Sequence, residues 1–269
     1  MLELSQLYIY PVKSLAGFSV ESAVVTDRGL QHDRRWMLVD DKNKFLTIRE
    51  YPEMALLHTF LTDDALVVKD SRNPTDQIEV PFALPKTELE DVTIWNATVA
   101  ARSVGPEAAD WLSKQLGLSC KLVFMPEDSL RPVDTTSGYQ TDGKYTSFAD
   151  AYPFLLVGEA SMADLNGRFS ETLSMLRFRP NLVFSGGTPY QEDELEDFTI
   201  SGIPFTGLEN CARCNVPNVD PETAEVNPDR QPLKTLAKYR TVDRQIIFGR
   251  NVVHSGTGVV SVGDELVLK

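Results

Sequence analysis

Apolar and polar residues alternate along much of the chain, and this pattern predicts many short β-strands. Residues 2–11 show it first, with Leu7 and Ile9 on one face and Tyr8 and Tyr10 on the other. Such alternation is typical of a strand with one buried face. Similar patterns predict strands at 18–26, 77–82, 92–103, 120–124, 154–157 and 181–184, and hairpins at 35–49, 56–69 and 198–208.

Helical spacing is clearest over residues 106–116. Ala108, Trp111 and Leu112 recur every three or four positions, and Pro106 suits the first helical position. The remaining predicted elements are helices at 161–169 (with Ser161 and Asp164 arranged like a capping box), 170–176 and 232–240, and closing strands at 246–254 and 259–268 with a turn at 255–258 between them. Many short strands with about four helices indicate an α+β fold built around a β-barrel or a strongly curved sheet.

The length of 269 residues suits two domains. A polar, irregular stretch over residues 125–145 is rich in Pro, Asp, Thr and Gly, which is typical of a domain boundary or an active-site loop. We therefore place a smaller mixed α/β domain at 1–125 and the β-barrel domain at 126–269.

A net charge of −13 makes the surface strongly acidic. Such a surface repels phosphate backbones and anionic lipid, so we expect neither a nucleic acid polymer nor a membrane as partner. It does not exclude a local basic pocket. The odd count of three cysteines, the lack of a signal-peptide pattern and the lack of a run of about 18 apolar residues predict a soluble protein of the reducing cytoplasm.

Two of the cysteines, Cys211 and Cys214, flank Arg213 and need an explanation. A buried inert pair is one explanation. A redox pair usually opens a helix, but Pro217 follows closely and no helical pattern begins. A structural zinc site needs four ligands, and the other candidates are the scattered Cys120, His32, His58 and His254. A single thiolate bound to a soft metal or a metal cofactor remains, and Arg213 would favour that thiolate by lowering its pKa.

Basic residues lie where predicted strands meet turns, at Lys13 (followed by Ser14), Arg34 and Arg179. Each fits a surface charge or a structural ion pair, and Asp33 is an obvious partner for Arg34. If they meet Arg213 in space, they would instead surround a phosphate group. The chain has no P-loop, G-x-G-x-x-G, G-x-S-x-G or H-E-x-x-H motif.

An ordered series of short motifs spans nearly the whole chain. They are Tyr10-Pro11-Val12-Lys13-Ser14, His32-Asp33-Arg34-Arg35-Trp36, Phe178-Arg179-Pro180-Asn181, Cys211-Ala212-Arg213-Cys214, Asp220-Pro221, Pro232-Leu233-Lys234-Thr235-Leu236 and Val262-Gly263-Asp264. The series resembles the MOSC family with its N-terminal β-barrel domain, a family that includes the mitochondrial amidoxime-reducing components.

The resemblance implies a molybdenum cofactor, in which molybdopterin holds molybdenum and one protein thiolate completes the centre. By motif position that catalytic metal ligand is Cys214, while Cys211 is assigned no role. The residues implied as cofactor contacts are Lys13, Ser14, Arg34, Arg179 and Arg213, with Tyr152 and Asn251 at cofactor-lining positions whose side chains differ from those of relatives. A contact at Tyr152 would then come through the backbone. Residues 1–34 must reach the same cofactor as Cys214, so we expect them to join the C-terminal barrel in space.

The resemblance also implies an enzyme that reduces N-hydroxylated compounds (hydroxylamines, amidoximes and N-hydroxylated bases) to amines, a detoxifying reaction. Three cysteines are too few for a ferredoxin-type cluster, and no flavin fingerprint is present. We therefore expect a separate electron-transfer protein with a flavin, Fe–S or haem group. The alternatives are a non-catalytic cofactor carrier, a sulfur-transfer module, and a zinc or disulfide protein.

Overall fold

The computed structural model describes residues 1–84, 88–133 and 141–269. Its strands are β1 (Leu2–Ile9), β2 (Phe18–Val20), β3 (Ser22–Thr26), β4 (Gly29–Leu30), β5 (Trp36–Val39), β6 (Leu57–Leu61), β7 (Ala65–Asp70), β8 (Asn73–Pro81), β9 (Leu89–Ile94), β10 (Ala97–Ser103), β11 (Lys121–Phe124), β12 (Arg131–Pro132), β13 (Tyr145–Thr146), β14 (Phe154–Gly158), β15 (Leu182–Ser185), β16 (Asp197–Ile200), β17 (Ile203–Ala212), β18 (Thr241–Val242), β19 (Gln245–His254), β20 (Gly258–Ser261) and β21 (Glu265–Leu268). Its α-helices are α1 (Pro106–Leu116), α2 (Glu159–Asn166) and α3 (Leu233–Leu236), and short 3₁₀ helices lie at Pro52–Leu56, Met175–Arg177, Gln191–Glu194 and Val216–Asn218.

Seven strands close into a barrel in the order β14-β15-β1-β21-β16-β17-β19, with β19 returning to β14. Only the β14–β15 pair among these is parallel. Along β14, Phe154 and Leu156 pack into the core cluster of the barrel strands, whereas Leu155 and Val157 pack into a second cluster under the helices. Because both faces of this strand are buried, its sequence is continuously apolar rather than alternating. The predicted α+β fold with a β-barrel is confirmed.

The smaller part of the molecule combines a four-stranded sheet (β5-β11-β10-β9), a three-stranded sheet (β6-β7-β8) and helix α1. Helix α1 has the predicted bounds, and its Ala108 and Leu112 join a core cluster with Leu122 of β11. Gly117 ends the helix in the left-handed conformation, with φ of 67°. The predicted β6–β7 and β16–β17 hairpins also form.

The N-terminal strand lies in the barrel rather than in the smaller part. β1 pairs with β15 and β21, and β3 pairs with β20. After β1, the chain crosses to the four-stranded sheet, where Val12 pairs with Trp36 at the start of β5. Residues 18–30 then return to the barrel, where Val25 and Leu30 join its core cluster, and the chain crosses to the smaller part again at β5. The division at residue 125 stays a prediction.

The helical predictions between residues 161 and 176 are wrong in detail. Helix α2 begins at Glu159, so Ser161 lies inside it and caps nothing. The buried Ser161 hydroxyl instead donates to Glu192 Oε2 at 2.7 Å and accepts from the Tyr190 N–H at 2.7 Å. No α-helix forms at 170–176, because the Asn166 side chain bonds both the N–H and the C=O of Leu173 and so holds a loop.

The closing strand predicted at 259–268 is also wrong in detail. β19 pairs with β17 and β14, whereas the segment predicted at 259–268 divides at Gly263 into β20 and β21, which pair with other strands. Gly263 has φ of 95°, a conformation that L side chains rarely adopt and that breaks a strand. Barrel closure, rather than the local turn at 255–258, decides the partners. The helix predicted at 232–240 shortens to α3.

The polar stretch at 125–145 falls partly at residues 134–140, outside the described residues. On either side of that gap, β12 pairs with β13. Within the described ranges, no helix is long and apolar enough to cross a membrane.

Barrel closure leaves no room for a side chain at Gly207 of β17. A Cβ there would lie 2.0 Å from the Leu195 carbonyl oxygen. We expect Gly207→Ala to lower the free energy of unfolding by about 1–3 kcal/mol, measured by denaturant titration. Gly167→Ala is the control, because its Cβ would meet nothing nearer than 3.5 Å. Equal stability of the two variants would contradict this packing.

Candidate functional site

A cavity of about 340 Å³ lies at the junction of the barrel and the smaller part of the molecule. It is formed by the chain after β1, the loops at 47–49 and 149–152, the turn around Arg179 and the end of β17. All eight residues that the sequence singled out line it: Lys13, Ser14, Arg34, Tyr152, Arg179, Arg213, Cys214 and Asn251. The structure therefore brings together residues that are distant in the chain, since Lys13 and Asn251 are 238 positions apart.

Lys13 is buried at one side of the cavity, where its ammonium donates to the Phe148 carbonyl at 3.0 Å and pairs with the Asp150 carboxylate. Burial lowers the pKa of Lys13 to about 8, although Asp150 partly opposes the shift. This lysine therefore changes its charge close to neutral pH.

Asp150 has its side chain about half exposed and is bound by two cations. Arg49 Nη2 donates to Asp150 Oδ2 at 2.6 Å, and the Trp95 indole N–H donates to Oδ1 at 3.3 Å. Burial tends to raise the pKa of Asp150, but Lys13 and Arg49 outweigh it and hold that pKa well below its usual range. Asp150 is thus an ionised acceptor at neutral pH.

Arg34 is held by an ion pair with the buried Asp33, whose carboxylate oxygen lies 2.5 Å from Arg34 Nη1. The same nitrogen donates to Asn181 Oδ1 at 2.9 Å, and Nη2 donates to the Arg179 carbonyl at 3.2 Å. The ion-pair partner expected for Arg34 is therefore present. These bonds also fix the turn that carries Arg179 beside Arg34.

Two guanidinium groups pack on the Tyr10 ring. The Arg34 and Arg179 Cζ atoms lie 4.4 Å and 4.3 Å from its centroid. Burial, reinforced by the positive charge of Arg34, lowers the pKa of Arg179 to about 10. Its buried Nη2 has no hydrogen-bond partner among the described residues. A buried cationic donor without a partner is costly unless a ligand satisfies it.

Three of the cavity residues have left-handed backbone conformations that non-glycine residues rarely adopt. Their φ angles are 70° for Ser14, 49° for Arg34 and 55° for Arg179. Each costs about 1–3 kcal/mol, and such residues concentrate at binding and catalytic sites. The chain thus holds strained backbone where the three side chains converge.

The two cysteines of the pair have different surroundings. Cys211, at the end of β17, packs against the cluster that contains Phe178, whereas Cys214 packs against the core cluster of the smaller part. Arg213 Nη1 lies 3.1 Å from Cys211 Sγ, and burial raises the pKa of Cys211 despite that cation. The cation that interacts electrostatically with Cys214 is Arg49. Arg213, which was expected to lower the pKa of a neighbouring thiol, contacts Cys211 and only partly opposes the rise in pKa that burial causes there.

Tyr152 and Asn251 line the cavity from the barrel side. The Tyr152 side chain is buried in a cluster with Val133, Leu208 and Val253, which agrees with a ligand contact made through backbone atoms. Asn251 lies in β19, between Leu155 of β14 and Glu209 of β17.

Sequence reasoning missed Arg49, Asp150 and Arg131. Arg131 donates to the carbonyls of Ser147, Ala149 and Asp150 and so fixes the loop that presents the Asp150 carboxylate. The sequence offered a signal for Asp150, because it lies two residues before the cofactor-lining position Tyr152. It offered no signal for Arg49, because nothing local shows that the loop of Arg49 approaches Cys214 from the other part of the molecule.

The cavity fits an anionic group held beside a thiol, with Cys214 and Cys211 both in its lining. Arg179 Nη2 and Arg213 Nε are buried without partners among the described residues, and Lys13 and Arg34 add positive charge. In the same part of the chain, no group of three or more His, Cys, Asp or Glu side chains is placed to hold a metal ion. A metal bound here at Cys214 would bring most of its ligands with it, as molybdopterin does. The fold and the cavity define a β-barrel protein whose cavity places cationic side chains beside two thiols.

Comparison with known proteins identifies the family. The profile of the "MOSC N-terminal beta barrel domain" matches residues 1–119, and that of the "MOSC domain" matches residues 143–267. The mitochondrial amidoxime-reducing component 1 of Mus musculus is 32% identical, over 98% of this chain and 81% of its own length. The Homo sapiens protein of that name is 30% identical, over 98% and 82%. The chain belongs to the MOSC family with an N-terminal MOSC domain.

Other relatives in the family are larger. The molybdenum cofactor sulfurase of Solanum lycopersicum is 32% identical over 98% of this chain, which spans only 35% of the sulfurase. Among solved structures, the YUAD protein from Bacillus subtilis aligns with 99% of the chain at a TM-score of 0.42 and 11% identity.

Anion binding at this cavity should depend on pH. Sulfate stays a dianion near neutral pH, and we expect it to raise the Tm of the cofactor-free protein. This increase in Tm should become smaller above a pH of about 8, because Lys13 loses its proton there. Because a hydrogen bond to a charged group contributes about 1.5–3 kcal/mol, affinity should fall about tenfold or more.

The comparison is Lys13→Arg, which stays protonated and should bind sulfate nearly equally at pH 7 and pH 9, below the pKa of about 10 of Arg179. Chloride at matched ionic strength controls for screening. A wild-type response that does not change between pH 7 and pH 9 would place Lys13 outside the anion site.

Proposed function

We propose that this protein is a molybdenum-cofactor-dependent reductase of N-hydroxylated compounds that takes its electrons from a separate protein. The observation that carries the proposal is the cavity itself: Cys214 and Cys211 line the same space as buried cationic donors that lack partners among the described residues. Membership of the MOSC family and similarity to two amidoxime-reducing components support the same reaction.

In the proposed complex, Cys214 Sγ is the protein ligand of the metal. Lys13, Ser14, Arg34, Arg179 and Arg213 hold the phosphate and pterin groups, because each can donate hydrogen bonds and four of the five carry positive charge. Tyr152 and Asn251 line the barrel side.

The bound cofactor would supply oxygen-atom acceptance and two-electron transfer. Overall, R–NH–OH, two protons and two electrons give R–NH₂ and water, with cleavage of the N–O bond. Asp150, ionised and half exposed, is placed to accept a hydrogen bond from a substrate N–H and so orient the N–OH group. Lys13 Nζ, with its pKa of about 8, can hold one of the required protons near neutral pH. Arg49 keeps Asp150 and the Cys214 sulfur in fixed relation.

The electrons must come from outside the chain. Its three cysteines cannot form a four-thiolate cluster. A separate flavin, Fe–S or haem protein is therefore the proposed partner.

A second candidate is a cofactor carrier or sulfur-transfer module. Similarity to plant proteins named molybdenum cofactor sulfurase, at 31–33% identity, favours it. The two candidates differ in turnover: a carrier binds the cofactor but reduces no substrate.

The deciding experiment begins with molybdenum and pterin analysis of protein made in a host with intact cofactor synthesis. The loaded protein is then supplied with an artificial reductant and benzamidoxime. We expect benzamidine to form. Full loading without turnover would reject the reductase in favour of the carrier, and zinc without molybdenum or pterin would reject both.

The cysteine pair should respond unequally in that assay. Cys214→Ser is expected to abolish reduction, because it removes the metal ligand. Cys211→Ser should lower the rate of reduction about tenfold, the effect expected for a residue that supports a ligand indirectly. Cys211 contacts Arg213 and packs in a different core cluster from Cys214. Equal losses at both positions would argue for a paired role.

A further inference from the structure

Trp95 stands at the tip of the β9–β10 hairpin in the smaller part of the molecule. Ile94 and Ala97 pair across this hairpin, so Trp95 and Asn96 form a two-residue turn. Such turns favour asparagine and glycine, which tolerate left-handed backbone. Trp95 instead has φ of 53° and is 44% exposed. A bulky aromatic residue with this φ is an outlier, and its contacts show what holds it there.

The contacts of Trp95 lead to the cavity. Its indole N–H donates to Asp150 Oδ1 at 3.3 Å, although the two residues are 55 positions apart. Its ring packs against the Phe45 ring, with centroids 4.8 Å apart, and its centroid lies 4.7 Å from Arg49 Cζ. Asp150 and Arg49 both line the cavity, whereas Trp95 does not. Trp95 therefore acts on the cavity through these two neighbours.

The guanidinium of Arg49 is held from three directions. Its Nη1 donates to Thr47 Oγ1 at 3.2 Å, and its Nη2 donates to Asp150 Oδ2 at 2.6 Å. The Trp95 ring packs against the guanidinium face. Among aromatic side chains, tryptophan attracts a cation most strongly. Trp95 thus keeps Arg49 against one oxygen of Asp150 while its own N–H bonds the other.

The hydrogen bonds of the Asp150 carboxylate are divided unequally between its two oxygens. A carboxylate has about four acceptor positions, two on each oxygen. Oδ1 accepts from the Lys13 ammonium and from the Trp95 indole, whereas Oδ2 accepts from Arg49. Among the described residues, these three donors leave one acceptor position open, and it is on Oδ2. That oxygen is bound by the same cation that interacts with Cys214.

We propose that Trp95 is a positioning residue: it fills the second acceptor position of Asp150 Oδ1 and so leaves Oδ2, beside Arg49, to receive the substrate N–H. This rests on the proposed function and adds a rule of substrate selection. Compounds with an N–H on or next to the reacting nitrogen, such as R–NH–OH and amidoximes, gain this oriented contact. N-hydroxylated compounds without such an N–H do not. The smaller part of the molecule thereby helps to orient the substrate of a reaction at the barrel.

The first test is a double-mutant cycle in the loaded enzyme, with acetamidoxime as substrate. Trp95→Phe keeps a ring against Phe45 and Arg49 but removes the N–H. We expect it to lower kcat/KM about tenfold, the effect of losing one hydrogen bond to a charged group. In the Asp150→Ala background, the same change should alter kcat/KM less than about twofold, because the acceptor is already absent. Additive losses, or no loss in the single variant, overturn the proposal.

Trp111→Phe is the matched control. The Trp111 indole also donates to a carboxylate oxygen, Asp76 Oδ1, at 2.6 Å, but neither of these residues lines the cavity. This variant should keep the wild-type kcat/KM, and all variants should keep the wild-type content of molybdenum and pterin. A loss in Trp111→Phe as large as that in Trp95→Phe would mean that a general loss of stability, rather than positioning, lowers the activity.

A second test does not depend on turnover. The three tryptophans give three indole N–H signals in a ¹H–¹⁵N spectrum, and Trp95→Phe identifies the signal of Trp95. Without reductant, acetamidoxime should shift this signal in the wild type and leave it in place in Asp150→Ala. A signal that does not respond, or that responds equally without Asp150, overturns the positioning role. The expected response without reduction by the wild type rejects the proposed function and keeps the positioning role.

Discussion

The packing of two guanidinium groups on Tyr10 is the interaction on which the rest of the site depends. Arg34 and Arg179 carry like charges and lie about the same distance from that ring. Asp33 neutralises one of them directly, which leaves the site short of negative charge. Burying this excess of positive charge in a protein interior is unfavourable unless an anion neutralises it. The proposed charged ligand would also account for the strained backbone at Ser14, Arg34 and Arg179 and for the buried Arg179 Nη2, which has no partner among the described residues.

The position of β1 in the barrel makes this arrangement possible. Because β1 lies between β15 and β21, the chain that leaves it enters the cavity at Tyr10 and Lys13 before crossing to the smaller part. The smaller part adds a second contribution through Arg49, which forms an ion pair with Asp150 and interacts electrostatically with Cys214. The site is therefore shared between the two parts, and neither could form it alone.

The cysteine pair illustrates how sequence proximity can mislead. Cys211 and Cys214 are three positions apart, yet β17 ends between them and directs them to different core clusters. The arginine between them contacts Cys211, and a distant arginine contacts Cys214. The pair is two separate thiols with separate cations, a result that spacing in the sequence cannot reveal.

The sequence by itself determined the local elements and the membership of the site. Helix α1 follows from its apolar spacing and its proline and glycine ends, and the β6–β7 and β16–β17 hairpins follow from alternation and turn residues. The family resemblance implied eight residues that line one cavity, six of them within the motif series. Tertiary structure decided which strands pair, because barrel closure sets the partners of the C-terminal strands and the predicted strand at 259–268 divides at Gly263. It also decided the partners within the site. The roles of Arg49 and Asp150 depend on contacts between distant segments, such as Arg49–Asp150 at 101 positions and Lys13–Asp150 at 137, and no local pattern encodes such contacts.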